Sequence, residues 1–214
     1  MLHYNPGVRA PWFIRILYKN AIWKVNTSEK VVYLTFDDGP VPEVTPWVLS
    51  VLKNENIKAG FFCVGENVHK HPELFRQLLD EGHTAGNHTF NHIQGLKTNL
   101  EDYLTNVEKA DRLIGTPFFR PPHGFLKRSQ YRQLKKKYRF VMWDVLSRDF
   151  DKQISAEKVY SNVMNFVRPG SVIVFHDSLK AEKNIKEALP KVIRSLKKQG
   201  YRFEKLKEQT NEKS

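Results

Sequence analysis

Two adjacent acids, Asp37 and Asp38, end the apolar run 31–36 and stand just before Gly39-Pro40. Carboxylates at a strand tip can grip a cation or share acid/base work, because loops beyond strand ends hold side chains on a rigid frame. A plain Asp-Gly turn gives the same pattern without chemistry. A second cluster, Asn87-His88-Thr89-Phe90-Asn91-His92, carries histidines four apart. That spacing brings two imidazoles to one side if the segment turns helically. Two imidazoles and one carboxylate suit zinc, with positions left for water and substrate. Loop histidines are common in isolation. Here both clusters follow a short buried strand, which favours the metal reading.

Arg120-Pro121-Pro122-His123-Gly124 is a rigid loop. Arg120 has the fork to hold a carboxylate bidentately. A backbone N–H beyond the prolines is free to meet a developing oxyanion. A plain proline-rich loop would use the same residues. His176 tips the apolar segment 172–175, and Asp149 ends the preceding unit. An acid beside an imidazole is how a general acid is tuned, although a lone histidine at a strand end is more often structural.

The elements that must position these residues alternate along the chain. Strands are expected at 31–36, 58–64, 83–87, 118–119, 139–145, 172–175 and 201–206. Helices are expected at 43–54, from Pro72 to Gly82, at 99–114, 129–137, 155–167 and 185–199. Leu74, Phe75, Leu78 and Leu79 share one apolar face, as do Leu100, Tyr103, Leu104, Val107 and Leu113. About seven βα units with no linker predict one α/β domain with mostly parallel strands. Polar residues gathered at successive strand ends favour a barrel over an open sheet. Residues 11–18 read as a packed N-terminal helix, with an interfacial membrane contact as the lesser alternative. Residues 1–30 form an appendage packed on the barrel, 31–206 the main domain and 207–214 a frayed tail.

The 214 residues are 40% hydrophobic and 27% charged, which fits a globular protein. No apolar run approaches the ~20 residues of a membrane span. The start has no secretion-signal pattern, so the sequence by itself points to the cytoplasm. The single cysteine, Cys63, excludes an intrachain disulfide and reads as a core thiol. The net charge of +12 suggests anionic partners such as cell-wall polymers, nucleic acid or membrane surfaces, while the basic stretches at 135–137, 197–198 and 205–207 read by default as solvated surface. No zinc-finger or ribonucleoprotein motif accompanies it, so nucleic acid is not expected.

Thr35-Phe36-Asp37-Asp38-Gly39, His88-Thr89-x-x-His92, Arg120-Pro121-Pro122-x-Gly124, Asp149-Phe150 and Phe175-His176-Asp177 together resemble the five ordered motifs of the polysaccharide deacetylase family, carbohydrate esterase family 4. The resemblance runs from about residue 31 to about residue 206. It implies a distorted (β/α)7-type barrel and metal-dependent removal of acetyl groups from N-acetylated sugars. It implies Asp37 as general base, with Asp38, His88 and His92 as ligands of a divalent metal: zinc first, cobalt or nickel second. Arg120 would pair with Asp37 and set its protonation, Asp149 would orient His176, and His176 would be the general acid. The backbone N–H of His123 would meet the oxyanion, and Pro122 and Phe150 would touch substrate. His123 stands where an aromatic residue is usual, Phe150 replaces a tryptophan, and Leu146 replaces an acid. Members are commonly exported or membrane-anchored.

The leading expectation is a monomeric N-deacetylase of glycans containing N-acetylglucosamine, such as peptidoglycan or chitin-like oligomers. The alternatives are an O-acetyl xylan esterase, a glycan-binding module with a dead site, and a two-histidine, one-carboxylate iron oxygenase.

Overall fold

The structure is a computed structural model and describes residues 7–207. Strand β1 (Val31–Asp37) lies at its centre with all seven residues buried. An unbroken β-branched and aromatic run suits a strand covered on both faces. On one side follow β2 (Gly60–Cys63), β3 (Thr84–Asn87), β4 (Phe118–Phe119) and β5 (Arg139–Phe140). On the other are β7 (Val172–His176) and β6 (Val145–Leu146), giving the order β5-β4-β3-β2-β1-β7-β6 with every pairing parallel. These seven strands curl into a half-barrel, as expected, and β8 (Arg202–Phe203) pairs with the start of β1. Parallel pairing collects the strand ends that carry the motifs at one mouth.

Helices α2 (Thr45–Asn54), α4 (Pro72–Asp80), α5 (Leu100–Ile114), α7 (Ala156–Met164) and α8 (Glu182–Lys198) cover the sheet. Their ends follow local chemistry. Asn99 caps α5 by accepting from the Asp102 N–H, and Gly115 stops it in the left-handed region at φ 59. The Ser155 hydroxyl accepts from the Lys158 N–H at the start of α7.

Several expectations are corrected. The strand expected at 139–145 is two short strands, because the chain leaves β5 to pair with the N-terminal segment. Val141 bridges Ile22 in parallel, and the Met142 N–H donates to the Ile22 carbonyl. Helix α3 (Gly65–Lys70) was not expected, since its only large buried side chain is Val68 and it carries no apolar period. Leu79 and Leu113 are exposed, while their neighbours Leu78 and Ile114 point inward; a step of 100° per residue turns each out of the buried stripe. α6 (Arg128–Leu134) stops short of the basic run at 135–137. Of the expected tail, residues 208–214 lie outside the described residues.

The N-terminal segment reaches the sheet before its own helix, α1 (Trp12–Leu17), begins. The Val8 carbonyl accepts from the Leu146 N–H on β6. Arg9 and Arg15 reach the fully buried Asp144, which Arg168 and Ser171 also hold.

Candidate active site

Strand register sets the first part of the mouth. On neighbouring strands β1 and β7, Asp37 lies directly beside His176. One residue beyond β1, Asp38 turns out into the mouth with φ 82. One residue beyond β3, His88 does the same, and its N–H donates to the Cys63 carbonyl at the end of β2. The Asp38 Oδ1 lies 3.1 Å from the Nε2 of His92 and 3.7 Å from the Nε2 of His88. One donor atom from each of the three residues lies within 4.8 Å of the others, close enough to share one cation.

The histidines converge without a helix, contrary to the turn their spacing suggested. Their loop is bent by left-handed residues, Thr89 at φ 64 and His92 at φ 53. Asn87 holds the bend by accepting from the Thr89 N–H, and the N–H groups of Gly65 and Glu66 at the start of α3 donate to the carbonyls of Thr89 and Phe90. The unexpected helix therefore clamps the histidine loop. Five of the six non-glycine residues with positive φ among the described residues belong to this mouth: Asp38, Thr89, His92, His123 and Arg148. Such backbone costs roughly 1 kcal/mol or more per residue, and persists where the surroundings over-determine it.

Electrostatics suit the trio to a cation. His88 Nδ1 lies 2.7 Å from the Arg120 carbonyl and so carries the proton, which leaves Nε2 unprotonated toward Asp38. Burial, outweighing the nearby Asp37 and Asp38, pushes His88 down to about 4 and keeps it neutral at ordinary pH. Burial alone would raise Asp38; the hydrogen bond from His92 and the neighbouring imidazoles outweigh it and hold the carboxyl well below its ordinary value.

Two charge pairs flank the trio. Arg120 is fully buried, and its NH1 donates to Asp37 Oδ1 at 2.5 Å and to the Thr35 hydroxyl at 3.0 Å. Its Nε and NH2 go to the carbonyls of Val141 and Met142. The expected bidentate grip is thus monodentate, because the irregular segment between β5 and β6 leaves two carbonyls that the rest of the fork satisfies. The guanidinium sits 3.9 Å from the Phe62 ring centre, and Phe62 fits there because Gly86 has no Cβ to strike it. On the other flank, the Asp149 carboxylate accepts from the backbone N–H of His176 and from its Nδ1, each at 2.8 Å, and from Ser147. Burial disfavours the imidazolium, yet the Asp149 charge and hydrogen bond prevail and raise His176 to about 9.

The site opens into a cavity of about 530 Å³ lined by Asp37, Asp38, His88, His92, Arg120 and His176. Phe150 forms part of the wall, its ring edge-on to His176 at 4.8 Å. His123 packs 4.9 Å from the His92 ring, and its backbone N–H donates to no acceptor among the described residues. Pro121 and Pro122 are both buried, and of the two Pro121 lines the cavity. Gly7, Ala10, Pro11 and Ile14 complete the rim. Sequence reasoning missed Thr35, Asn67 (whose amide holds the Asp38 carbonyl at 2.7 Å) and this N-terminal rim.

The polysaccharide deacetylase family model matches residues 24–143. A peptidoglycan-N-acetylglucosamine deacetylase of Bacillus cereus is 34% identical over 189 residues, covering 85% of this chain and 88% of that protein. The crystal structure of a peptidoglycan N-acetylglucosamine deacetylase superposes with a TM-score of 0.79 at 36% identity, over 86% of this chain and 89% of that one. A mutant of a CE4 family pseudoenzyme with restored enzymatic activity superposes with a TM-score of 0.78 at 26% identity, over 87% of this chain and 69% of that one. The chain belongs to the polysaccharide deacetylase family, carbohydrate esterase family 4.

Proposed function

We propose that this chain is an active, metal-dependent N-deacetylase of glycans containing N-acetylglucosamine, with peptidoglycan first among them. The observation that carries the reading is the trio Asp38, His88 and His92 lying between two oriented charge pairs, Asp37–Arg120 and Asp149–His176. A dead binding module has no need of all five side chains. The Bacillus cereus relative supports the substrate class.

Asp38, His88 and His92 would hold one divalent ion, zinc by the chemistry of a two-imidazole, one-carboxylate donor set. When bound, that ion supplies a Lewis acid for the acetyl carbonyl and for the attacking water. Asp37 takes the water's proton on Oδ2, which has no hydrogen-bond partner among the described residues, while Arg120 fixes Oδ1. The amide carbon becomes tetrahedral, and the free N–H of His123 faces the developing oxyanion. His176, protonated at neutral pH with its Nδ1 tied to Asp149, gives its proton to the departing amine; the C–N bond breaks to release acetate and the free sugar amine. Phe150 forms an apolar wall beside the acid. Residues 31–206 constitute the catalytic domain, residues 1–30 an appendage whose described part completes the rim, and the enzyme works as a monomer.

The test is acetate release from peptidoglycan, chitooligosaccharides and acetylated xylan, with chelator and with zinc or cobalt added back. Release from the N-acetylated substrates, abolished by chelator and restored by metal, is the expected result. No release from any substrate with metal restored would overturn the reading.

A further inference from the structure

Helix α1 is apolar on both faces, which is unlike a packed surface helix with a polar outer side. Ile14 and Tyr18, four residues apart, point into the core, and Arg15 is held by Asp144. The outward residues are not polar: Trp12, Phe13, Ile16 and Leu17 are exposed by 70, 56, 63 and 45%. Phe125, also exposed, continues this patch to the cavity wall. The connection is direct, because the Tyr18 hydroxyl lies against both the N–H and the carbonyl of Leu126.

The segments that build this flank are rich in cations. Residues 1–28 and 112–143 contain no Asp or Glu, yet they hold four and nine basic residues. Five of these thirteen are ion-paired: Arg9 and Arg15 with Asp144, Arg112 with Glu108, Arg120 with Asp37 and Lys137 with Asp111. The two stretches pack together through Tyr18 on Tyr131 and Ile22 on Val141. Lys19, Lys127 and Arg128 are exposed there and pair with no acid among the described residues.

We infer that this flank docks the protein on an anionic lipid bilayer, with the apolar face of α1 in the headgroup layer and the cations against lipid phosphates. Two features select this occupant. A two-fold pairing of copies through the same face would set like-charged, acid-free rims against each other. A soluble polyanion would satisfy the cations but offers no apolar phase for four large side chains. An anionic bilayer satisfies both, as interfacial helices with aromatic anchors do. The six residues of α1 suffice because the fold, through Asp144, already orders them. Docking would turn the cavity rim at Pro11 and Ile14 toward the membrane.

The experiment is co-sedimentation of the full chain with phosphatidylcholine vesicles, with and without about 30% phosphatidylglycerol. Binding is expected only with the anionic lipid, and to weaken roughly tenfold or more when Trp12, Phe13 and Ile16 are all changed to Ser. Lys127→Glu with Arg128→Glu should weaken it similarly, in a second variant that leaves the apolar face intact. Brominated lipid should quench tryptophan fluorescence of the wild type and not of Trp12→Phe. Acetate release from a soluble oligosaccharide should not change in any of these variants, and vesicle binding requires no turnover, so the two proposals fail separately. Absence of binding to anionic vesicles overturns the inference. So does binding indifferent to the apolar substitutions, or a dimer in solution that those substitutions dissolve.

Discussion

Two buried aspartates meet arginines in this fold, and they are satisfied to different degrees. Asp144 has both oxygens fully engaged: Oδ1 accepts from Arg15 and Arg168, and Oδ2 from Arg168 and Ser171. Burial alone would raise its pKa; those hydrogen bonds outweigh it and lower it. Asp37 has one oxygen fixed by Arg120 and the other turned to the cavity without a partner among the described residues. A carboxylate whose lone pairs are all taken can only hold parts together. One with an oxygen left toward solvent space can accept a proton from a reactant.

The contrast breaks most sharply at Asp37. Asp37→Ala should lower acetate release by roughly two to four decades with metal affinity retained, measured by turnover beside metal titration. Asp144→Ala should do the converse. It leaves three arginines side by side and should cost about 3 kcal/mol of stability, read by denaturant unfolding, with the remaining activity showing a raised KM as the rim loosens. Asp149→Asn sharpens the comparison on the acid side. A raised histidine pKa means the proton is held through neutrality and lost as pH rises through about 9. The associated stability is complete below the unfolded value near 6.5 and fades across that window. Without the anion, the alkaline limb of the rate profile should fall by about one pH unit or more, visible as an activity ratio between pH 6 and pH 9. The smallest effect belongs to Gly86→Ala. Its new Cβ would meet the Phe62 ring at 2.4 Å and shift the support under Arg120, reducing turnover several-fold and stability by about 1–3 kcal/mol.

The residues at the mouth were legible because each stands in a short motif at a strand tip, where chain order and sheet register are simply related. Asp37 beside His176 follows directly from parallel pairing of β1 and β7. What escaped depends on backbone needs or distant partners. Arg120 spends two-thirds of its fork on the carbonyls of Val141 and Met142, which no side-chain pattern displays. Helix α3 has nothing periodic to bury and exists to meet the carbonyls of the histidine loop. Asp144 is conspicuous beside Trp143, but its partners Arg9 and Arg15 lie more than a hundred residues away. The orientation of 11–18 was ambiguous for another reason: both faces of that helix are apolar, so hydropathy alone cannot say which one the fold covers.

Gly7, Ala10, Pro11 and Ile14 sit on the rim of the cavity, so a bulky group coupled to a residue placed at position 11 would stand in the doorway through which substrate must pass. A reporter coupled there would crowd the entrance and imitate an inhibitor. One coupled on β8 itself would stand at the opposite pole of the sheet, where β8 pairs with the first residues of β1.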